Sequence, residues 1–122
     1  MKAKSFLNGI LLIISSAIIM TACYKSKSSY NSPSSYKITM KNSAFSPASL
    51  TVVAGSSVTW MNDDTVIHTV TATDGSFNSG DIAISSSYSK TFSTVGTINY
   101  SDSHNTNMMG VLIITGSSGG GY

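Results

Sequence analysis

Residues Gly96–Thr115 read GTINYSDSHNTNMMGVLIIT and place a polar, donor-rich loop between two strand-like segments. The first segment, GTINYS, alternates apolar and polar residues, and the last, GVLIIT, is a nearly continuous apolar run suited to a buried strand. The loop between them brings Asp102, His104, Met108 and Met109 close together in sequence. It has the outline of a metal-binding loop between two strands, yet it contains no cysteine.

Strand signals continue through the chain before this stretch. SLTVVAGSSVTWMN predicts two short strands around a turn at Ala54–Ser56, and three further segments are rich in β-branched or alternating residues: YKITM, VIHTVTAT and SYSKTFS. Turn-forming residues separate the segments, at 62–64, 74–76, 79–81 and 95–96.

About seven short strands within one domain-sized segment indicate an all-β fold, a Greek-key β-sandwich of seven to eight short strands. We assign residues 36–115 to this domain. Its predicted core residues are Trp60, Phe92, Tyr100 and Val111.

The quoted motifs resemble those of the cupredoxins, the family of plastocyanin, pseudoazurin and amicyanin. FSPASLTVVAGSSVTWMNDDTVIHTV, residues 45–70, resembles the opening half of that family, and FNSGDI and YSKTF resemble its middle strands. GTINYSDSHNTNMMG aligns without a gap on the amicyanin-type closing pattern G-T-Y-x-Y-x-C-x-x-H-x-x-M-x-G. The resemblance covers residues 45–115 and implies the cupredoxin type of sandwich.

The resemblance also implies a function, single-electron transfer through one copper ion. Carried over by position, His68 matches the first histidine ligand and Met108 matches the axial methionine. Asp102 stands where the family has its cysteine. Asn105 stands where the family has its second histidine, with His104 immediately before it. We therefore take His68, Asp102, His104 and Met108 as the candidate metal ligands.

An aspartate changes the chemistry of such a site, because the short copper–thiolate bond gives a blue copper site its colour and helps to set its potential. A carboxylate is a harder donor and favours Cu(II). Copper bound through Asp102 should lack the intense blue band, have a lower potential and transfer electrons more slowly. Neighbouring side chains of an extended segment point to opposite faces, so His104 reaches the site only if the loop is rearranged.

Each candidate also has an ordinary structural interpretation. His68 could be a satisfied histidine at the rim of the sandwich, and Asp102 could cap a turn ahead of Asn105. Met108 and Met109 could be apolar caps on the sandwich. The aspartates at 63 and 64 are expected to bond to the backbone that follows them.

Two functions compete on these grounds. The first is a copper-binding domain for electron transfer or copper handling, with an envelope redox partner. The second is a metal-free module for adhesion or assembly at the membrane surface. An enzyme is not indicated, because the serines are plentiful and widely scattered, as expected of a compositional bias.

The first 23 residues predict a bacterial secretion signal. Lys2 and Lys4 precede an apolar run, and MTAC at 20–23 resembles a lipobox in which Cys23 is lipidated. An ordinary signal peptide and an uncleaved anchor are the alternatives, although the run is shorter than the roughly 20 apolar residues of a spanning helix. Lipidation at Cys23, the only cysteine of the sequence, would leave no thiol in the domain and place it in the cell envelope, in the periplasm or on the outer surface.

The segments that flank the domain are polar. Residues 24–35, YKSKSSYNSPSS, predict a flexible Ser-rich tether, and residues 116–122 predict a flexible Gly/Ser tail. Without Lys2 and Lys4 the chain has as many lysines as aspartates, and it contains neither Arg nor Glu. Nucleic-acid binding is therefore not expected, because it needs clustered Lys and Arg.

Overall fold

The computed structural model describes residues 33–117. The predicted signal segment, the lipidation site at Cys23, residues 24–32 of the tether and residues 118–122 of the tail lie outside the described residues. No helix long and apolar enough to cross a membrane occurs within 33–117.

Eight strands account for the regular structure of this region. They are β1 Ser35–Lys41, β2 Ala44–Ser46, β3 Ser49–Val53, β4 Ser56–Asn62, β5 Thr71–Ala72, β6 Ser87–Phe92, β7 Gly96–Ser101 and β8 Met109–Thr115. The all-β prediction and the predicted number of strands are confirmed. The short strand β2 was not anticipated from the sequence.

The strands form two four-stranded sheets. Sheet A has the order β2-β1-β4-β6 and sheet B the order β3-β8-β7-β5. Two pairings are parallel, β1 with β4 and β3 with β8, and the others are antiparallel. This non-sequential order fits a Greek-key sandwich, because the successive strands from β2 to β7 alternate between the two sheets.

The turn between β3 and β4 is where the chain passes from sheet B to sheet A. Gly55 sits there with a φ of 94°, a backbone conformation that glycine adopts without strain. Its amide donates to the carbonyl of Phe92, and the amide of Ala54 donates to that of Thr115. The predicted turn at 54–56 is therefore confirmed, and its backbone bonds to β6 and β8.

The core between the sheets is centred on Trp60, which is fully buried. Alternate residues of β4 point inward, and the Trp60 ring lies 5.6 to 6.1 Å, centroid to centroid, from four other aromatic rings: Phe77, Tyr88, Phe92 and Tyr100. Such aromatic pairs contribute about 0.5–1.5 kcal/mol each beyond the burial of their area. Of the predicted core residues, Trp60, Phe92 and Tyr100 are confirmed.

Two predictions from the apolar segments need correction. Val111 is only half-buried, because the alternation along β8 turns Gly110, Leu112 and Ile114 inward. VIHTVTAT forms a regular strand only at Thr71–Ala72. The preceding residues form an isolated bridge between His68 and Ile82 instead of a continuous ladder.

Gly110 lies directly opposite Tyr100 in the β7–β8 ladder. Tyr100 is buried, and its ring covers the position that a Cβ at residue 110 would occupy. Glycine is therefore required at this point by close packing.

The substitution Gly110→Ala should lower the free energy of unfolding by about 1–3 kcal/mol, because an added methyl group would collide with the Tyr100 ring. Urea unfolding followed by circular dichroism measures the change. The matched control is Gly116→Ala, where the nearest atom lies 4.0 Å from the added Cβ. Equal effects of the two substitutions would contradict the packing argument.

Candidate functional site

The loop after β4 is organised by Asn62, the last residue of that strand. The Asn62 side chain is fully buried, and its Nδ2 donates to the carbonyls of Val66, at 2.8 Å, and Ile82, at 2.9 Å. Its Oδ1 accepts from the amide of Asp64 at 3.0 Å. One amide side chain thereby fixes the segment that presents Asp64 and His68.

Asp102 follows β7 directly and is 1% exposed. Its Oδ2 accepts from Nδ1–H of His68 at 2.8 Å. Its Oδ1 accepts from the Thr69 amide at 2.8 Å, from the Thr69 hydroxyl at 3.1 Å and from the His104 amide at 3.1 Å. Both oxygens are therefore engaged, Oδ1 by three donors and Oδ2 by one.

His68 lies between two carboxylates. Its Nδ1 contacts Asp102, and its Nε2 lies 3.0 Å from Oδ2 of Asp64. An ionised carboxylate only accepts hydrogen bonds, so both ring nitrogens must carry protons. His68 is therefore an imidazolium, buried to 1% exposure and held by an aspartate on either side.

The pKa values agree with this charge assignment. Burial by itself would lower the pKa of His68, but the hydrogen bonds to Asp102 and Asp64 outweigh it and raise that pKa above its ordinary 6.5. Burial would likewise raise the pKa of Asp102, but the hydrogen bonds from His68, His104 and Thr69 hold it below 3.8. Both shifts favour the charged form of the group concerned.

Asp64 is the more accessible of the two carboxylates, with 12% of its side chain exposed. Hydrogen bonds from the Ser43 amide, from His68 and from the Thr65 amide lower the pKa of Asp64 to about 2. The bond to Thr65 is the kind of turn contact predicted for this residue. The contacts with Ser43 and His68 were not predicted.

His104 points away from His68. Its backbone amide contributes to the turn at Asp102, but its ring reaches out to Asp81, with Nε2 2.7 Å from Oδ1. Both side chains of this pair are more than half exposed. The structure therefore does not bring His104 to the predicted ligand cluster. Asn105, at the family's second histidine position, uses its Oδ1 to accept from the Asn107 amide.

Met108 and Met109 lie on opposite sides of the chain. Met108 is 2% exposed and belongs to the hydrophobic core, whereas Met109 is 64% exposed. The loop is closed by the Asp102 amide, which donates to the Met108 carbonyl at 3.0 Å, and by the Met108 amide, which donates to Asn105 at 2.9 Å. The Met108 backbone thus helps to shape the turn while its side chain packs as an apolar cap.

The residues present do not fit a copper ion. The two carboxylates lie on opposite sides of the His68 ring and do not converge on one point, and both nitrogens of that ring are protonated. Within 33–117, no group of three or more His, Cys, Asp or Glu side chains is arranged to hold a metal. A metal ligand must offer a free lone pair. A doubly protonated His68 ring offers none, and each Asp102 oxygen already accepts at least one hydrogen bond.

Three members of the site were missed as site residues in the sequence: Asp64, Thr69 and Asp81. Asp64 stands four residues before His68. This spacing is the one signal in the sequence that could have indicated the contact between Asp64 and His68. Thr69 and Asp81 carry no such signal. Their partners lie 33 and 23 residues away and are brought to them only by the folding of the chain.

Comparison with known proteins identifies the family. A family model described as a cupredoxin-like domain matches residues 12–114. The chain therefore belongs to the cupredoxin-like domain family, as the resemblance of its motifs implied. No curated protein matches the chain.

Solved structures agree on the fold. A purple cupredoxin from Nitrosopumilus maritimus is 24% identical, with a TM-score of 0.62, and the match covers 66% of this chain and 99% of that one. The Cu(I) form of a single-residue variant of amicyanin is 20% identical, with a TM-score of 0.64 and coverages of 69% and 85%. At these identities the likeness establishes the fold and leaves the bound group open.

A copper-containing nitrite reductase from Thermus scotoductus SA-01 contains a similar domain. It is 20% identical, with a TM-score of 0.63, and the match covers 75% of this chain. The chain corresponds to only 24% of the length of that enzyme. The similarity is therefore to one sandwich within a larger protein.

The buried imidazolium predicts a particular dependence of stability on pH. The raised pKa of His68 gives a stabilisation that is complete below pH 6.5 and is lost as the pH rises through the folded-state value. The lowered pKa values of Asp64 and Asp102 give a stabilisation present above 3.8 that is lost as the pH falls through their folded-state values. Unfolding by urea should show the greatest stability between these limits, with a loss of up to about 1.4 kcal/mol per pH unit on the alkaline side.

Asp102→Asn is the matched control for this pH dependence. It keeps an acceptor for Thr69 and removes the charge, so the pKa of His68 should fall, as an NMR titration of the ring would show. The alkaline loss of stability should then become smaller. An unchanged NMR titration of His68 would contradict the ion pair.

Proposed function

We propose that this chain is a metal-free cupredoxin-like domain that acts as a structural or interaction module in the bacterial cell envelope. A hydrogen-bonded His68–Asp102 ion pair takes the place that a copper ion and its thiolate have in the family. The observation that carries the proposal is that both ring nitrogens of His68 and both carboxylate oxygens of Asp102 are hydrogen-bonded to partners within the protein.

The energetics of the pair support a structural role. Taking two charges out of water is costly, and a buried pair persists only where further hydrogen bonds satisfy the remaining positions. The contacts of Asp102 with Thr69 and His104, and of His68 with Asp64, meet that condition. The site is therefore self-sufficient without a metal.

An exposed apolar surface next to the site supports an interaction role. Val66, Ile67 and Ile84 are each about half exposed, at 46–51%. They lie on two loops that the Asn62 side chain joins through the carbonyls of Val66 and Ile82. Exposed apolar side chains mark surfaces that bind other proteins where they form a contiguous patch. We infer that an envelope protein docks there.

The proposed location follows from the sequence before the domain. A secretion signal that ends at a lipidated Cys23 would hold the domain at the membrane surface, with the Ser-rich tether between anchor and sandwich. The location is then the periplasm or the outer surface of the bacterium, and no role with nucleic acid is proposed.

Copper binding for electron transfer or copper handling is the second candidate. His68 and Asp102 are already in contact, Met108 is buried at the same loop, and the family's electron carriers use one copper ion. This candidate requires His104 to leave Asp81 and His68 to give up a proton. The geometry therefore favours the metal-free function.

Titration of residues 24–122 with Cu(II), followed by absorption and EPR spectroscopy, tests the choice. We expect no saturable binding tighter than that of a His68→Ala variant, because the ring nitrogens and carboxylate oxygens are occupied. A bound Cu(II) signal that the His68→Ala variant lacks would overturn the metal-free proposal. Metal analysis of protein purified from its native host provides an independent check.

A second experiment tests whether the closing loop can hold copper once the family's missing ligands are restored. The double variant Asp102→Cys with Asn105→His restores the two family ligands at their positions in the amicyanin-type pattern. It should bind Cu(II) and show an intense visible thiolate band, which Asn105→His alone should lack. Failure of the folded double variant to bind copper would show that more than these ligands has changed.

A further inference from the structure

A cavity of about 360 Å³ opens beside β6, at the opposite end of β7 and β8 from Asp102. Its apolar walls come from both sheets and the connecting segment: Phe77, Phe92, Ile98 and Ile114. Its other lining residues include Ser93 and Thr94, which both carry a hydroxyl group. The proposed function does not use this cavity, whose volume is at the lower end of the range of small-molecule sites.

Among the described residues that line the cavity, Lys90 is the only one with an ionisable side chain. Its ammonium nitrogen lies 5.9 Å from the centre of the Phe77 ring and 5.7 Å from that of Phe92. Every ion pair found among the described residues involves a histidine, so Lys90 has no carboxylate partner there. The nearby Asp74 accepts from the Ser76 amide in its own turn.

These features define the chemistry of a ligand. A half-buried cation held over two aromatic faces, with no acidic partner, attracts an anion, and the apolar walls favour an apolar body. One ammonium group balances a single negative charge, whereas a dianion such as a phosphate monoester would need more donors.

We propose that this cavity binds a small monocarboxylate with an aliphatic or aromatic body. The carboxylate pairs with Lys90, and the body packs against Phe77, Phe92 and Ile98. The cavity is separate from the His68–Asp102 pair, so the proposed carboxylate binding does not depend on whether copper binds at that pair. The competing interpretation is that Lys90 has only a packing role, in which its aliphatic chain covers the rings of Phe77 and Phe92.

The probe for the test is octanoate, compared with octanamide and octylammonium on residues 24–122. Trp60, the only tryptophan, lies 5.9 Å from Phe77 and 6.1 Å from Phe92, ring centre to ring centre, so its fluorescence reports on the cavity. Octanoate should bind saturably with a Kd below about 1 mM. Octanamide should bind more weakly and octylammonium least. No saturation by octanoate, or equal binding of octanamide, would overturn the proposal.

Variants locate the binding on the protein. Lys90→Gln should weaken octanoate binding by about three- to tenfold and leave octanamide unchanged, because only the charge contact is lost. Lys37→Gln, which removes an exposed lysine that does not line the cavity, is the matched control. Thr94→Phe should obstruct the cavity and weaken both ligands, as calorimetry would measure. Octanoate binding that is unaffected by Lys90→Gln and by Thr94→Phe would place it elsewhere and refute the assignment.

Discussion

The hydrogen bond between Nδ1 of His68 and Oδ2 of Asp102 joins residues 34 positions apart. His68 lies in the segment that follows β4 of sheet A, and Asp102 follows β7 of sheet B. The bond therefore closes one end of the sandwich across the gap between its two sheets. The same carboxylate accepts hydrogen bonds from the backbone amides of Thr69 and His104. It also accepts from the Thr69 hydroxyl, which in turn accepts from the Ser103 amide.

In the metal-free domain that we propose, a proton between His68 and Asp102 holds this end of the sandwich together, as a metal ion does in the copper proteins of the family. It sits between a nitrogen and an oxygen donor, it carries positive charge, and it draws two loops together. The two devices differ in geometry, because a metal gathers several ligands around one point whereas a doubly protonated ring separates its two partners. Asp64 and Asp102 accordingly lie on opposite sides of His68.

The strands were largely predictable from the sequence, because burial on one face imposes an alternation that β4 and β8 display clearly. The predicted strand around His68 failed for a local reason. The amide of Val70 bonds to the Ser79 hydroxyl and that of Thr69 to Asp102, so a regular ladder cannot continue there. At these two residues the backbone amides donate to side chains from elsewhere in the sequence, not to the carbonyls of a neighbouring strand.

The candidate site was predictable only in part. The register of the closing loop placed Asp102 and His68 in one candidate cluster, and in the structure the two side chains share a hydrogen bond of 2.8 Å. The direction of the His104 ring depends on Asp81, a residue 23 positions earlier that no local pattern connects to the loop. Whether a donor is free or already engaged is a property of the folded chain, which is why the sequence suggested ligands where the structure has hydrogen bonds.

The parallel pairing of β3 with β8 also constrains the order in which the protein can be built. Leu50 finds its neighbour Leu112 only after almost the entire domain has been synthesised. Closing so long a loop costs chain entropy before any contact is gained, and pairing of this kind slows folding. Sheet B, which needs β8, can therefore be completed only after every strand of sheet A has been synthesised.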